Sequence, residues 1–84
     1  MNDSIFYVKL NNVVEASDFV SIVSKSQKVI HITNGTAVAN AKSLMGVMSL
    51  VRSSPKRLTV IYPNSDGHND KEIVAKIKSN YEVH

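Results

Sequence analysis

Alternation of apolar and polar side chains near the start of the chain predicts a β-strand from Ser4 to Leu10. Phe6, Val8 and Leu10 give this segment one apolar face, and its opposite face is mixed. The Asn11-Asn12 pair that follows is typical of a turn. The pattern therefore predicts a strand with one buried face that ends at this turn.

Helical spacing replaces the alternation in the next segment. From Glu15 to Lys25 the apolar positions recur three and four residues apart, which predicts an amphipathic helix. Ser17 or Ala16 is expected near its start, with Asp18 in the first turn, where a carboxylate interacts favourably with the helix dipole.

The middle of the chain predicts a β-hairpin. The segment from Lys28 to Thr33 is rich in β-branched residues, which favour strands. Asn34-Gly35 follows it, and this dipeptide between two extended segments is the strongest local signal for a hairpin turn. Thr36 to Ala41 is the expected partner strand, although its alanines favour a strand less.

The remaining pattern predicts a helix, a strand and a closing helix. The short helix spans Ser43 to Val51, and Ser53-Ser54-Pro55 breaks it because proline cannot continue a helix. The strand spans Arg57 to Tyr62. Asn69 followed by Glu72 resembles a capping box at the start of the last helix. The apolar face of that helix consists of Ile73, Val74, Ile77 and Tyr81.

This β-α-β-β-α-β-α order is typical of an α+β domain in which helices cover one face of an antiparallel or mixed sheet. A length of 84 residues accommodates a single domain, residues 1–84, with one core. From the pattern alone, a ferredoxin-like split βαβ fold is the nearest alternative.

Composition narrows the class of protein. The chain has no cysteine, which excludes disulfides and thiolate metal sites and fits a cytoplasmic location. No signal peptide is evident, and no apolar run approaches the roughly 20 residues of a membrane span. The net charge is +3, but the cations are scattered apart from Arg52, Lys56 and Arg57 around Pro55. A nucleic-acid binder usually has a denser basic stripe or aromatic platforms, so this cluster is interpreted as a solvated loop.

The histidines do not form a recognisable catalytic or metal site. His31 lies within a predicted strand, His68 lies in a loop and His84 is the last residue. No pair has metal-ligand spacing, and no acidic cluster accompanies them. No Ser/His/Asp arrangement or glycine-rich phosphate loop is present either. The sequence therefore predicts a protein that is not an enzyme and needs no metal or cofactor.

The segment Lys42-Ser43-Leu44-Met45-Gly46-Val47-Met48-Ser49-Leu50 combines a possible phosphate site with an apolar one. Ser43 precedes an apolar run, where serine is a preferred N-cap. A phosphate on Ser43 would lie at a helix N-terminus, which favours anions, beside the cation Lys42. The simpler interpretation is that Ser43 only caps an amphipathic helix. Val47, Leu50 and Val51 are expected in the core.

This nine-residue segment resembles the regulatory-serine segment of HPr, the phosphocarrier of the bacterial sugar phosphotransferase system. The resemblance implies an open-faced β-sandwich with a four-stranded antiparallel sheet and three helices on one face. In the family, a Gly-Ile-His-Ala-Arg-Pro segment begins the first helix, and its histidine carries phosphate taken from enzyme I. Here the aligned segment is Val13-Val14-Glu15-Ala16-Ser17-Asp18. Glu15 stands at the histidine position, Ser17 at the arginine position and Asp18 at the proline position, which implies a degenerate active site.

The resemblance implies a regulatory role in carbon catabolite control. Ser43 matches the family serine that HPr kinase/phosphorylase modifies in low-GC Gram-positive bacteria. The modified protein, like the catabolite-repression HPr-like protein that also lacks the histidine, binds a LacI-type repressor. The expected phosphorylation site is therefore Ser43, and the expected partner-binding residues are Lys42, Leu44, Met45 and Met48.

Two alternatives remain at this stage. One is a constitutive interaction module without phosphorylation, which binds a partner through the second helix or forms a homodimer through the sheet. Exposure of Ile30 and Ile32 on the uncovered sheet face would favour the dimer, and alignment to the family places Val29, His31 and Thr33 inward. The other alternative is a small basic nucleic-acid-binding domain.

Overall fold

The structure, a computed structural model, describes residues 4–53, 57–63 and 70–83. The predicted element order is confirmed. In chain order the elements are β1 (Ser4–Val8), α1 (Val13–Val23), β2 (His31–Thr33), β3 (Val38–Asn40), α2 (Leu44–Ser53), β4 (Leu58–Tyr62) and α3 (Lys71–Tyr81). The expectations for the loop at Ser54-Pro55, for Lys56, for the helix start at Asn69 and for His68 and His84 lie outside the described residues.

The four strands form one antiparallel sheet with the order β1-β4-β2-β3. Val60 in β4 lies opposite Phe6 in β1 and Ile32 in β2, and Ile32 lies opposite Ala39 in β3. The helices cover one face of this sheet, as the open-faced sandwich requires. The open-faced sandwich is therefore confirmed, and the split βαβ alternative is wrong.

The core lies between the sheet and the helices. Every second strand residue points into it, including Phe6, Val8, Leu58 and Val60. The expected orientation of β2 is wrong in the family-based alignment, because Ile30 and Ile32 are fully buried while Val29 and His31 are exposed. Residues 28–33 have apolar β-branched side chains at both odd and even positions, so the sequence pattern alone does not show which face of this strand is buried. Ile30 and Ile32 therefore provide no exposed strip for a dimer.

The first helix begins two residues before the predicted start. Asn12 is its N-cap, and the Asn12 Oδ1 atom accepts a hydrogen bond of 2.9 Å from the backbone N–H of Glu15. Ala16 and Ser17, expected near the start of this helix, are its fourth and fifth residues, and Asp18 lies beyond the first turn in which it was expected. The physical reason is that asparagine is an N-cap as favourable as serine, so Asn12 starts a helix where the Asn11-Asn12 pair alone indicated a turn.

The predicted hairpin joins β2 to β3. Gly35 has a φ of 96°, a conformation that side chains with a Cβ rarely adopt, and Asn34 Oδ1 accepts hydrogen bonds from the backbone N–H groups of Thr36 and Ala37. The loop spans residues 34–37 and only Gly35 of these has a positive φ, so a four-residue turn held by the Asn34 side chain replaces the two-residue Asn-Gly turn that the dipeptide signals.

Candidate functional site

Ser43 caps α2 and is exposed. Its Oγ atom accepts a hydrogen bond of 3.2 Å from the backbone N–H of Gly46, and its carbonyl oxygen accepts one of 2.9 Å from Val47. These contacts place the hydroxyl at the positive end of the helix dipole, where unpaired N–H groups favour an anion. A Cβ on Gly46 would lie 3.1 Å from Ala39 Cβ and 3.4 Å from Ser43 Oγ, so glycine permits the close packing of α2 on β3.

Lys42 precedes the cap, but its side chain is engaged elsewhere. The ammonium Nζ donates a hydrogen bond of 2.5 Å to the carbonyl oxygen of Ser26, and the side chain is half-buried. The structure therefore places this charge on the loop between α1 and β2. The expected pairing of the Lys42 ammonium with the position of Ser43 is not seen in the unmodified protein.

An apolar groove lies between the start of α1 and the outer face of α2, and it includes Leu44, the residue that follows Ser43. It has a volume of about 590 Å³. Met45 is 84% exposed, Leu44 is 41% exposed and Met48 is half-buried. The groove is lined by Val13, Leu44, Met45, Met48, Ser49 and Arg52. Large apolar side chains at this exposure are a feature of docking surfaces in soluble proteins.

Sequence reasoning missed the contribution of Val13 and Arg52 to this groove. Val13 and Val14 are 55% and 76% exposed, and they precede the predicted helix without fitting its apolar face. Two adjacent apolar residues outside a core pattern were the available signal. Arg52 was interpreted as part of a loop, but it lies in α2 and carries a positive charge at the groove.

The start of α1 carries no histidine. Glu15 Oε1 instead accepts hydrogen bonds from Asn11, at 2.8 Å from the backbone N–H and 3.1 Å from Nδ2. Within the described residues no lysine or arginine forms an ion pair with this carboxylate. The geometry makes Glu15 part of the helix cap.

Asp18 and Ser17 lie further along the exposed side of α1. Asp18 Oδ2 accepts a hydrogen bond of 2.5 Å from the hydroxyl of Tyr81, which joins α1 to the end of α3. Burial raises the pKa of Tyr81 above its ordinary value, and the hydrogen bond to Asp18 raises it further. Ser17 and Asp18 therefore give this helix start no cation of the kind that stabilises a phosphoryl group.

His31 does not contribute to the groove. It is exposed on β2, on the sheet face opposite the helices, and it lies beside Ile61 of β4 and Asn40 of β3. Among residues 4–53, 57–63 and 70–83, no group of three His, Asp or Glu side chains could hold a metal ion. The same residues contain no helix with the length and apolar character of a membrane span.

A second polar cluster, which the sequence did not indicate, connects three elements away from the groove. Asp70 Oδ2 accepts hydrogen bonds of 2.6 Å from both the Ser26 hydroxyl and the Tyr62 hydroxyl. Lys28 Nζ lies 4.0 Å from the same oxygen. Ser26 is buried, so the carboxylate satisfies a hydroxyl that water does not reach. The cluster therefore has a structural role in joining the loop before β2, the end of β4 and the start of α3.

Comparison with known proteins agrees with this fold. Residues 13–82 match the family described as the PTS HPr component phosphorylation site. Among solved structures, the chain resembles HPr-C-His from Thermoanaerobacter tengcongensis with a TM-score of 0.68 and 26% sequence identity, over 94% of this chain and 93% of that one. No curated protein gives a significant match. Because the family match takes in every helix and strand except β1, the chain belongs to the HPr family of phosphocarrier proteins.

Proposed function

We propose that this chain is a regulatory member of its family that is phosphorylated at Ser43 and does not transfer phosphate through a histidine. An HPr kinase/phosphorylase is the proposed modifying enzyme. The proposed partner is a LacI-type repressor or another regulatory protein of carbon catabolite control. The observation that carries the proposal is an exposed serine at the start of α2, followed in the chain by Leu44 and Met45, which line an open apolar groove.

The physical logic of the switch is electrostatic. A phosphate adds about −1.5 to −2 charges and three strong acceptor oxygens at pH 7. At the N-terminus of α2 the helix dipole and free N–H groups stabilise that charge. An arginine of a partner would then gain charge-assisted hydrogen bonds at the phosphate, while its apolar side chains enter the groove beside Met45. Modified and unmodified protein would thus differ in affinity for the same partner.

The start of α1 supports the absence of a histidine relay. A carboxylate can accept phosphate only where cations or a metal offset the repulsion between the two anions. Glu15 is bound by Asn11 and has Asp18 on the same helix. We therefore expect that enzyme I and phosphoenolpyruvate add no phosphate to this protein.

The proposal is tested by incubating the protein with HPr kinase/phosphorylase and ATP and measuring the intact mass. One added phosphate is expected on the wild-type chain. Ser43→Asn keeps a favourable N-cap but removes the hydroxyl, so it separates loss of the phosphorylation site from loss of the fold. Ser79→Ala, which removes an exposed serine hydroxyl from α3 outside the groove, is the matched control and should still accept phosphate. An unmodified wild-type chain, or equal modification of Ser43→Asn, would contradict the proposal.

A constitutive interaction module is the second candidate, because the groove itself is open and largely apolar. The two candidates differ in one measurement. If a partner binds the unmodified and phosphorylated forms with equal affinity, the groove acts without the switch. If phosphorylation strengthens binding at least about tenfold, which corresponds to about 1.4 kcal/mol, the regulatory function holds.

A further inference from the structure

The sheet face opposite the helices is a second exposed apolar surface. Its side chains form two rows across the strands, since antiparallel partners point to the same side. One row runs through Ile5, Ile61, His31 and Asn40, and the other through Tyr7, Thr59, Thr33 and Val38. We name these eight residues, with Lys9, Arg57 and Val29 at their margins, the open sheet face.

The open sheet face carries exposed aliphatic side chains at positions where a solvated sheet face usually carries polar ones. Ile5 is 59% exposed, Val38 is 63% exposed and Val29 is 64% exposed. The solvated side of an antiparallel sheet usually carries polar residues in alternation with the buried apolar ones. Ile5, Tyr7 and Ile61 lie together on the neighbouring strands β1 and β4 and form an apolar patch of the kind that another molecule covers, whereas Val29 and Val38 are exposed toward the other edge of the sheet.

The charges at the open sheet face are of one sign. The Arg57 guanidinium lies 4.4 Å from the centre of the Tyr7 ring, which holds the cation on this side of the sheet. Lys9 is exposed between buried Val8 and Leu10 and so continues the outward alternation of β1. Among the described residues of this face, none is aspartate or glutamate. Its electrostatic complement is therefore an anionic partner.

We propose that the open sheet face binds a protein segment whose apolar side chains are flanked by carboxylates. Aliphatic side chains such as Ile5 and Val38 complement the apolar residues of a protein, whereas nucleic-acid bases require aromatic platforms. The aromatic rings of this face in the described part of the chain are Tyr7, whose ring Arg57 covers, and His31. They lie on β1 and β2, which β4 separates, so they do not form one stacking platform. A second copy of this chain would present the same cations to Lys9 and Arg57, and like charges disfavour that pairing.

The test uses the unmodified, isotope-labelled full chain and amide chemical shifts. The probe is a short synthetic peptide in which Glu alternates with Leu. Matched probes replace Glu by Lys, or Leu by Ser, and a deoxythymidine oligonucleotide represents single-stranded nucleic acid. The Glu–Leu peptide should shift the amides of β1 and β4, and it should bind at least about tenfold more tightly than each matched probe.

Variants assign the binding to this face. The double variant Lys9→Glu, Arg57→Glu should bind the Glu–Leu peptide about tenfold more weakly, since two favourable exposed charge contacts become repulsive. Lys25→Glu with Lys76→Glu changes the net charge equally outside this face and should leave the affinity within about twofold, because salt screens distant charges. Ile5→Ser changes no charge and neither residue of the Arg57–Tyr7 pair, and it should also weaken binding. A lower affinity of this variant therefore reports the loss of apolar contact.

Three results would overturn the proposal. The first is amide shifts that the Glu–Leu peptide causes only in α2. The second is tighter binding of the oligonucleotide or of the lysine peptide. The third is concentration-dependent dimerisation in sedimentation that Ile5→Ser abolishes. None of these measurements depends on phosphorylation of Ser43, so the outcome is independent of the proposed regulatory function.

Discussion

The hydroxyl of Tyr62, the last residue of β4, donates a hydrogen bond of 2.6 Å to the carboxylate of Asp70, which precedes α3. The buried hydroxyl of Ser26 donates to the same oxygen at the same distance. Asp70 is the N-cap residue of α3, yet its side chain forms no capping bond and serves these two hydroxyls instead. One carboxylate thus joins α3 to β4 and to the loop that follows α1.

Asp70→Ala is expected to lower the free energy of unfolding by about 2 to 3 kcal/mol, because it leaves two poorly solvated hydroxyls without their acceptor. Tyr62→Phe should cost less, about 1 kcal/mol, since the carboxylate keeps Ser26 and Lys28. Urea denaturation followed by circular dichroism measures both. Glu72→Ala removes an exposed carboxylate from the same helix and should change stability little; a cost equal to that of Asp70→Ala would contradict the structural role.

Alkaline pH should destabilise the protein through Tyr62. Burial, together with the hydrogen bond to Asp70, raises the pKa of Tyr62 from its ordinary 10.0 to about 12. Between these values the unfolded chain has lost the phenolic proton and the folded chain retains it, so stability falls as pH rises. The contribution is complete below the unfolded pKa and disappears as pH approaches 12.

Thermal unfolding at a series of alkaline pH values measures this effect. The wild-type midpoint should fall more steeply than that of Tyr62→Phe over the interval between pH 10.0 and about 12. Parallel curves for the two proteins would show that Tyr62 does not carry the dependence. Tyr81 has a raised pKa as well, so Tyr81→Phe is the companion variant and should remove a separate part of the slope.

Asn12→Ala should destabilise the protein by about 1 kcal/mol, because the backbone N–H of Glu15 loses its capping acceptor. Asn12→Ser keeps an oxygen at the cap and should recover most of this loss. Chemical denaturation of the three proteins side by side provides the measurement. If the alanine and serine variants were equally stable, the cap bond would not stabilise α1.

Met45→Ala should slow phosphorylation by HPr kinase/phosphorylase while leaving stability within about 0.5 kcal/mol, because the side chain is 84% exposed. The physical reason is loss of apolar contact with the enzyme at the groove. Initial rates of phosphate incorporation measure the effect. Ile5→Ala, exposed on the opposite side of the sheet, is the matched control, and an equal slowing by both substitutions would show that the groove is not the contact surface.

The candidate site was predictable where its signals are local. The run after Ser43 has helical spacing and a capping residue in front of it, so the sequence alone predicted α2, its cap and the burial of Val47, Leu50 and Val51. The position of Lys42 was not predictable. Its ammonium binds the carbonyl of Ser26, a contact between residues 16 positions apart that depends on how α1 packs beside α2.

The sequence by itself determined the order of the elements, the Asn-Gly hairpin and the capped helix, because spacing and turn chemistry act over a few neighbouring residues. Only the tertiary structure decided which face of β2 is buried, since Val29 and Ile30 are both apolar and the pairing of β2 with β4 sets which of them faces the core. It also decided that Ser26 and Tyr62 meet at Asp70, and that Val13 and Arg52 share one groove with Met45. These relationships join residues far apart in the chain, and their geometry exists only once the sheet and helices have packed.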